Sequence, residues 1–449
     1  MHGNITSDLS FCLAEEGFSL DELVLKLSEL YERKALNEIV RLILQLVQEV
    51  LLHRYFSGQR LPFKCCDHQD FSLNGSYNRR LRTSVGEVNL SWNRLKCRDC
   101  GKSFAVLKRF LNLENYQTRS NEFERLVVET VAETSYRRSV KMLEKHGKAE
   151  LSHRTAHHWV MRTDCDEIKI SDDVVGLMPL QVLADGTKYK GNAVGGEARK
   201  GDLKVVIGVN TAGDVFPLGS WSGSSWDDIN REWKEHQVKL PDGSVLIADG
   251  EPGIAGAFAD YVEYHQRCHW HIERDLYHAM YQDGGTVKEV KPLQQGLAGV
   301  LAIELPEGDF QQVSEAEKDA VEEQMELAEE AVGRLINHLS INGYGKAAEY
   351  LSNAKRSMFG YVRRWLKLGL ICPRASSLVE RVMRELGRRL KKIAYGWSDK
   401  GAVKIAKIIL KKFTSEKEWE EYWENKMNII GNVFFDIGNF KVSSQNLAH

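Results

Sequence analysis

The sequence predicts a multidomain protein of mixed α/β class, with small modules ahead of a sheet-centred domain and a helical stretch inserted into that domain. Three observations lead there. The chain has 449 residues, beyond the size at which one hydrophobic core keeps growing. Two cysteine pairs bracket a β-patterned segment in the N-terminal quarter. Between Met178 and Ile272 short apolar runs of strand type surround one helical pattern, whereas the sequence on both sides is largely helical.

Residues 1–60 form the first module. Apolar residues recur at helical spacing over 21–53 (Leu23, Leu27, Leu30, then Ile39, Val40, Ile43), which predicts one or two amphipathic helices, packed in a core or against a second copy. In the second module, 61–115, β-type alternation over 80–92 surrounds a Gly-Glu turn and predicts a hairpin. Residues 116–170 carry helical patterns over 123–133, 136–145 and 152–162. The last two flank a short turn at Gly147, with Ser152 placed as a cap, the spacing of a helix-turn-helix. Strands are expected over 180–184, 203–210, 215–220, 245–248 and 262–265, with a helix over 226–236, so 171–272 holds a mixed sheet. Residues 273–370 read as a helical insertion, acidic in its middle (Glu315, Glu322, Glu330). Residues 371–449 open with a basic helix over 376–392, followed by another over 397–413.

A hydrophobic fraction of 43% and a charged fraction of 28% are ordinary for globular chains and exclude a largely disordered or fibrous one. Lysine plus arginine number 61 against 63 acidic residues, a net charge of -2. Bulk charge therefore predicts no polyanion partner, and nucleic-acid contact must come from local basic surfaces. The N-terminus has no signal-type apolar core, and no run approaches a bilayer span of about 20 apolar residues. A cytoplasmic protein with no membrane contact is expected. The eight cysteines are too few for a disulfide scaffold in a chain this long.

Four of those cysteines point to a metal instead. Cys97-Arg-Asp-Cys100 is a knuckle whose turn aims two thiolates at one ion, and Cys65-Cys66-Asp67-His68 offers a second pair. Cys65, His68, Cys97 and Cys100 are the expected ligands of one structural zinc, with Cys66 able to replace either upstream ligand. The recognition helix of the helix-turn-helix would present His153, Arg154, Thr155, His157 and His158 to DNA, and the helix before it Arg137, Arg138 and Lys141.

Val182-Leu-Ala-Asp185-Gly and Val245-Leu-Ile-Ala-Asp249-Gly share one design, an apolar strand ending in Ala-Asp-Gly. In an α/β sheet, ligands bind at the carboxyl ends of strands, so two such aspartates can converge on a hard, oxygen-seeking cation. Taken singly, Asp-Gly after a strand is a turn signal; the repetition is what points to chemistry. A two-metal site needs a third carboxylate, and Glu380 or Glu385 on the basic helix can supply it. There Arg381, Arg384, Arg388, Lys391 and Lys392 would meet phosphates.

With these residues assembled, the chain resembles the Mutator-like group of bacterial insertion-sequence transposases, whose DDE catalytic domain is RNase H-like. The modules follow in the same order along most of the chain, and Cys268-His-Trp-His271 matches that group's Cys-x-x-His signature between the second aspartate and the glutamate. The resemblance implies Asp185, Asp249 and Glu380 as catalytic residues holding two Mg2+ or Mn2+ ions, with double-stranded DNA, both terminal inverted repeats and target, as partner, and a homo-oligomer that pairs two ends. The group commonly has Asn-x-x-Glu at the last element; here Ser377-Leu-Val-Glu380 stands in its place, which keeps Glu385 as fallback. Packing is the expected role of Trp270 and Trp365, with base stacking the alternative. Other readings are a DNA-binding regulator derived from a transposase, a hydrolytic nuclease, and a scaffold.

Overall fold

The computed structural model describes residues 19, 24–25, 30–31, 35–63, 65–67, 69–165, 178–192, 199–393 and 396–429. The chain divides into two compact units, one of residues 1–127, 140–152 and 417–449, the other of 128–139 and 153–416.

In the first unit, α1 (Leu36–Phe56) packs on a three-stranded antiparallel sheet of β1 (Phe71–Thr83), β2 (Gly86–Cys97) and β3 (Ser103–Ala105). Gln48 of α1 ties the two together, donating to the Ser91 carbonyl and accepting from the Asn93 amide. The hairpin is longer than its alternation suggests. Residues 74–78 of β1 are exposed and mostly polar, so they show no buried face; the ladder is interrupted at 74–75, where Gly75 has φ 71°, and resumes as Ser76, Tyr77 and Asn78 pair with β2. The turn falls at 84–85, since Thr83 pairs with Gly86, two residues before the expected Gly-Glu. Gly86 has φ 111°, which a side chain resists. The short helix α2 (Val106–Phe110) closes this module over Leu51, Leu61, Phe71 and Leu95.

Helices α3 (Asn121–Glu133), α4 (Tyr136–Lys145) and α5 (His153–Arg162) begin and end within two residues of expectation, as apolar stripes of 3.6-residue period dictate.

The second unit is built on β4 (Gln181–Lys190), β5 (Lys200–Val209), β6 (Val215–Ser222), β7 (Val245–Ala248) and β8 (Tyr264–Arg267), in the order β6-β5-β4-β7-β8. Along this order β4 pairs antiparallel with β5 and β5 antiparallel with β6, whereas β7 and β8 run parallel to β4. Helix α6 (Trp226–Glu235), opened by a Ser225–Asp228 capping box, and α7 (Ile254–Phe258) bury one face through Leu180, Val182, Ala184, Leu246 and Trp226. Residues of the opposite parity, Leu183, Val205, Ile207 and Ile247, are equally buried, so both faces are covered, as parallel strands require.

After β8 come α8 (His269–Gln282), α9 (Val287–Leu301), α10 (Glu315–Ile341), α11 (Gly345–Ala354) and α12 (Gly360–Leu368). No strand interrupts this helical run among the described residues. The chain then returns to the sheet, α13 (Ser377–Gly387) packing on β4 and α14 (Asp399–Thr414) on β6 and β5; α15 (Glu416–Met427) is the last element among the described residues. The described residues contain no helix long and apolar enough to cross a membrane.

Gly360 marks where this helical run meets the sheet. A Cβ there would collide with the backbone carbonyl of His265 in β8, and backbone cannot rotate away. Gly360→Ala is expected to cost about 3 kcal/mol or more, lowering the melting temperature of this unit by roughly 10 °C; differential scanning calorimetry measures it.

Candidate active site and metal centre

The site begins with strand register. Ala184 of β4 pairs with Ala248 of the parallel β7, so Asp185 and Asp249 each stand one residue beyond the last paired position. They are neighbours at the carboxyl edge. Asp185 Oδ1 accepts from the Gly186 amide at 2.7 Å, and Asp249 Oδ1 from the Glu251 amide at 2.9 Å. Burial, reinforced by the Asp249 charge beside it, pushes the Asp185 carboxyl up to about 7.

Only one of the two strands ends where the sequence suggests. β7 stops at Ala248, but β4 continues to Lys190 because Asp185 and the next five residues stay paired with β5. The glycines of the two Ala-Asp-Gly runs are not turn residues either: Gly186 lies within β4 and Gly250 in irregular chain outside any turn. A Cβ on Gly186 would lie 2.6 Å from Glu251 Oε2, and one on Gly250 would strike the Arg267 guanidinium. Both positions give room for a side chain approaching the site.

Glu251 is a member of the site that the sequence did not single out. Its Oε1 accepts from Trp226 Nε1 at 2.9 Å, and its charge helps to raise Asp185. An acid two residues after Asp249, on the loop leaving β7, was the available signal.

Cys268, His271 and Glu380 come together at the same edge. The Cys268 amide donates to the Ala248 carbonyl at 2.9 Å, anchoring the start of α8 beside Asp249. His269 is a pinning residue: its Nε2 lies 2.7 Å from the Met358 carbonyl, and burial lowers its pKa to about 4, so the ring stays neutral. His271 faces the site from the first turn. The ligating atoms of Cys268, His271 and Glu380 lie within 4.8 Å of one another, with His271 Nδ1 3.9 Å from Glu380 Oε1. Ser376 joins two of them, its amide donating to Cys268 Sγ at 3.4 Å and its hydroxyl to Glu380 Oε1 at 3.0 Å.

Charges tie this group to the aspartates. Burial alone would lower the His271 pKa, but the Cys268 sulfur and Asp249 outweigh it and raise it. Burial alone would raise the Cys268 thiol, but its interactions with His271 and Ser376 bring it below the usual value. Arg274, one turn along α8, bonds Asp275 at 2.7 Å, lies 4.8 Å over the Trp270 ring and is attracted by Asp249. Trp270 is 51% exposed, against the packing role expected of it, because α8 turns His269 and His271 inward; Trp365 is buried.

Of the two candidate glutamates, Glu380 lies in this cluster. Glu385 bonds Arg388 at 3.0 Å, and Arg388 also bonds Glu133 at 2.6 Å. Arg388, expected to meet phosphate, is therefore neutralised within the protein. Arg381, Arg384, Lys391 and Lys392 are exposed. Among the described residues no three-donor set within 4.8 Å joins Asp185, Asp249 and Glu380; Glu380 is turned toward Cys268 and His271. Of the residues expected to contact DNA on α4 and α5, Arg137, Arg138, Lys141, His153, Arg154, His157 and His158 are exposed and Thr155 is half-buried.

The first unit carries a second cluster, the Sγ atoms of Cys65, Cys66, Cys97 and Cys100 within 4.8 Å of one another. Cys66, the expected substitute for an upstream ligand, is one of the four; His68 lies outside the described residues. Cys65–Cys100, Cys66–Cys97 and Cys65–Cys66 are separated by 3.5, 3.6 and 3.9 Å. Sulfurs held about 2.3 Å from a tetrahedral ion lie about 3.8 Å apart, whereas disulfide sulfurs bond at about 2.05 Å. The cluster thus has the size of a four-thiolate zinc site and can hold such a metal. Burial and the neighbouring cysteines push the Cys65 thiol to about 12, while the Lys102 backbone amide lowers Cys100 to about 7.

The second unit is therefore a mixed α/β domain with an acidic, histidine-bearing edge, and the first a cysteine-clustered hairpin module. Residues 13–173 match the profile of an uncharacterised protein family (UPF0236), less than half of the chain, with no activity attached. No curated protein matches the chain.

Proposed function

We propose that the protein is a DDE-type DNA transposase, cutting and joining DNA at the ends of an insertion sequence with divalent metal ions. One observation carries the reading: two aspartates stand side by side at the carboxyl edge of adjacent parallel strands, and burial reinforced by the Asp249 charge lifts Asp185 to about 7. Such a pair is unfavourable unless a cation neutralises it, and its all-oxygen donors suit Mg2+ or Mn2+. Three antiparallel strands followed by two parallel ones, with a helix returning Glu380 to β4, support an RNase H-like domain.

In this reading Asp185 and Asp249 hold the ions and Glu380 completes the site by swinging from Ser376. Two such ions, when bound, activate the attacking oxygen and stabilise the leaving 3'-oxygen. Arg274 and the exposed cations of α13 and the turn after it meet the backbone phosphates. The cysteine module, with zinc, and the exposed residues of α4 and α5 recognise terminal repeats, and a homo-oligomer pairs two ends.

The test uses DNA taken from either side of the gene, incubated with the full chain and Mg2+. Nicks that leave a 3'-hydroxyl at one position, then joining of that end to a second DNA, are the expected result. Hydrolysis without joining makes the protein a nuclease, and binding without cleavage makes it a regulator.

A further inference from the structure

We infer that Cys268, His271 and Glu380 form a second transition-metal site, selective for thiophilic cations of the Zn2+ and Co2+ class and separate from the aspartate pair. The three donor atoms lie within 4.8 Å of one another, and ligand atoms around a tetrahedral ion are about 3.3 to 3.8 Å apart, so small side-chain rotations close the set. Its members come from two elements: Cys268 and His271 from the start of α8, and Glu380 from the first turn of α13.

A second observation points to a ligand. His271 is 7% exposed, and its Nδ1 is buried without a hydrogen-bond partner, although it faces Glu380 Oε1 at 3.9 Å. An unsatisfied buried ring nitrogen is costly, and a bound cation is the group that satisfies nitrogen, sulfur and carboxylate together. Ser376 supplies the outer support, its amide on Cys268 Sγ and its hydroxyl on Glu380 Oε1, the kind of hydrogen bond that orients ligands in metal sites.

The donor set fixes the class of ion. One sulfur, one nitrogen and one oxygen suit borderline metals, whereas Mg2+ avoids sulfur. Asp185 and Asp249 offer oxygen only. A thiophilic ion at Cys268 would also hold Glu380 away from the aspartates, so the two sites compete for one carboxylate.

The experiment needs no DNA. The full chain is first given one equivalent of Zn2+ to fill the four-cysteine cluster, then titrated with Co2+ and monitored by absorption. One further equivalent is expected to bind with the sulfur-to-cobalt charge-transfer band of a single thiolate. Cys268→Ser should abolish that band, and Glu380→Gln, altering a half-buried side chain, should weaken Co2+ binding at least 10-fold. Cys372→Ser, at a buried cysteine outside the cluster, should change neither. The inference is overturned if the zinc-loaded chain binds no further Co2+ with a sulfur band, or if the band survives Cys268→Ser. It is likewise overturned if Glu380→Gln leaves the affinity unchanged.

Discussion

Asp185→Asn is expected to remove DNA cleavage and, in the metal-free protein, to raise stability. The first effect comes from the proposed role of Asp185 as a metal ligand: an amide is a poor ligand for a hard dication, and several kcal/mol of transition-state stabilisation vanish with the ions, at least about 10³-fold in rate. The second comes from the Asp185 pKa of about 7. An unfolded aspartate titrates near 3.9, so below that pH both states hold the proton and the group contributes nothing. As pH rises toward 7 the unfolded chain ionises while the folded one keeps its proton, and stability falls. Above about 7 the loss is complete, on the order of 4 kcal/mol at about 1.4 kcal/mol per pKa unit.

Asparagine escapes this penalty and keeps an oxygen for the Gly186 amide. Thermal scans of the metal-free wild type and variant at pH 5 and pH 8 measure it. The variant should melt higher at pH 8, and the gap should shrink at pH 5. Mg2+ should stabilise the wild type at pH 8 and leave the variant unmoved. A variant that melts lower at pH 8, or that still cleaves DNA, would sink the role given to Asp185.

The aspartates were legible because two constraints coincide in sequence: a fully buried strand needs an unbroken apolar run, and a polar residue closing that run marks the sheet edge. Val182-Leu-Ala-Asp185 and Val245-Leu-Ile-Ala-Asp249 display both. The course of the chain beyond Asp185 was not legible, since β4 extends through Gly186 to Lys190 on pairing with β5, a non-local interaction. The role of Ser376 was hidden for a similar reason. The motif position is three before Glu380, at Ser377, whereas the hydroxyl that bonds its carboxylate is four before it, at Ser376, one helical turn away. Arg388 reads as a free cation in a basic helix, and only the fold brings Glu133 to it across a separation of 255 residues. Trp270 shows the limit of composition: a tryptophan beside two buried histidines is outward because helical geometry allows only one side of that turn to face the core.

Stripping the metal from the four-cysteine cluster is expected to unfold the β1–β3 module. This module is small, its core being the cluster of Leu51, Leu61, Phe71, Leu95, Cys97 and Val106 and that of Leu81, Val88, Leu90, Trp92, Ala105 and Leu107, and modules below about 70–80 residues ordinarily need a staple. Structural zinc contributes roughly 10–16 kcal/mol of apparent binding energy in isolated fingers, comparable to or above the whole stability of a typical domain at about 5–15 kcal/mol. Cys97 is fully buried within that core and Cys100 is exposed, so Cys97→Ser loses both a ligand and packing, whereas Cys100→Ser loses mainly a ligand. Both variants should purify with less than one zinc at this cluster, by elemental analysis on the Cys268→Ser background. Hydrogen exchange over residues 61–105 should accelerate at least 100-fold on chelation, with β4–β7 amides as internal reference. Unchanged protection after the metal has left would mean that apolar packing alone holds the hairpin. Because thiols must lose protons to bind the ion, and burial together with the neighbouring cysteines lifts Cys65 to about 12, loading should release protons and weaken as pH falls. A pH-independent affinity would place the metal on other ligands.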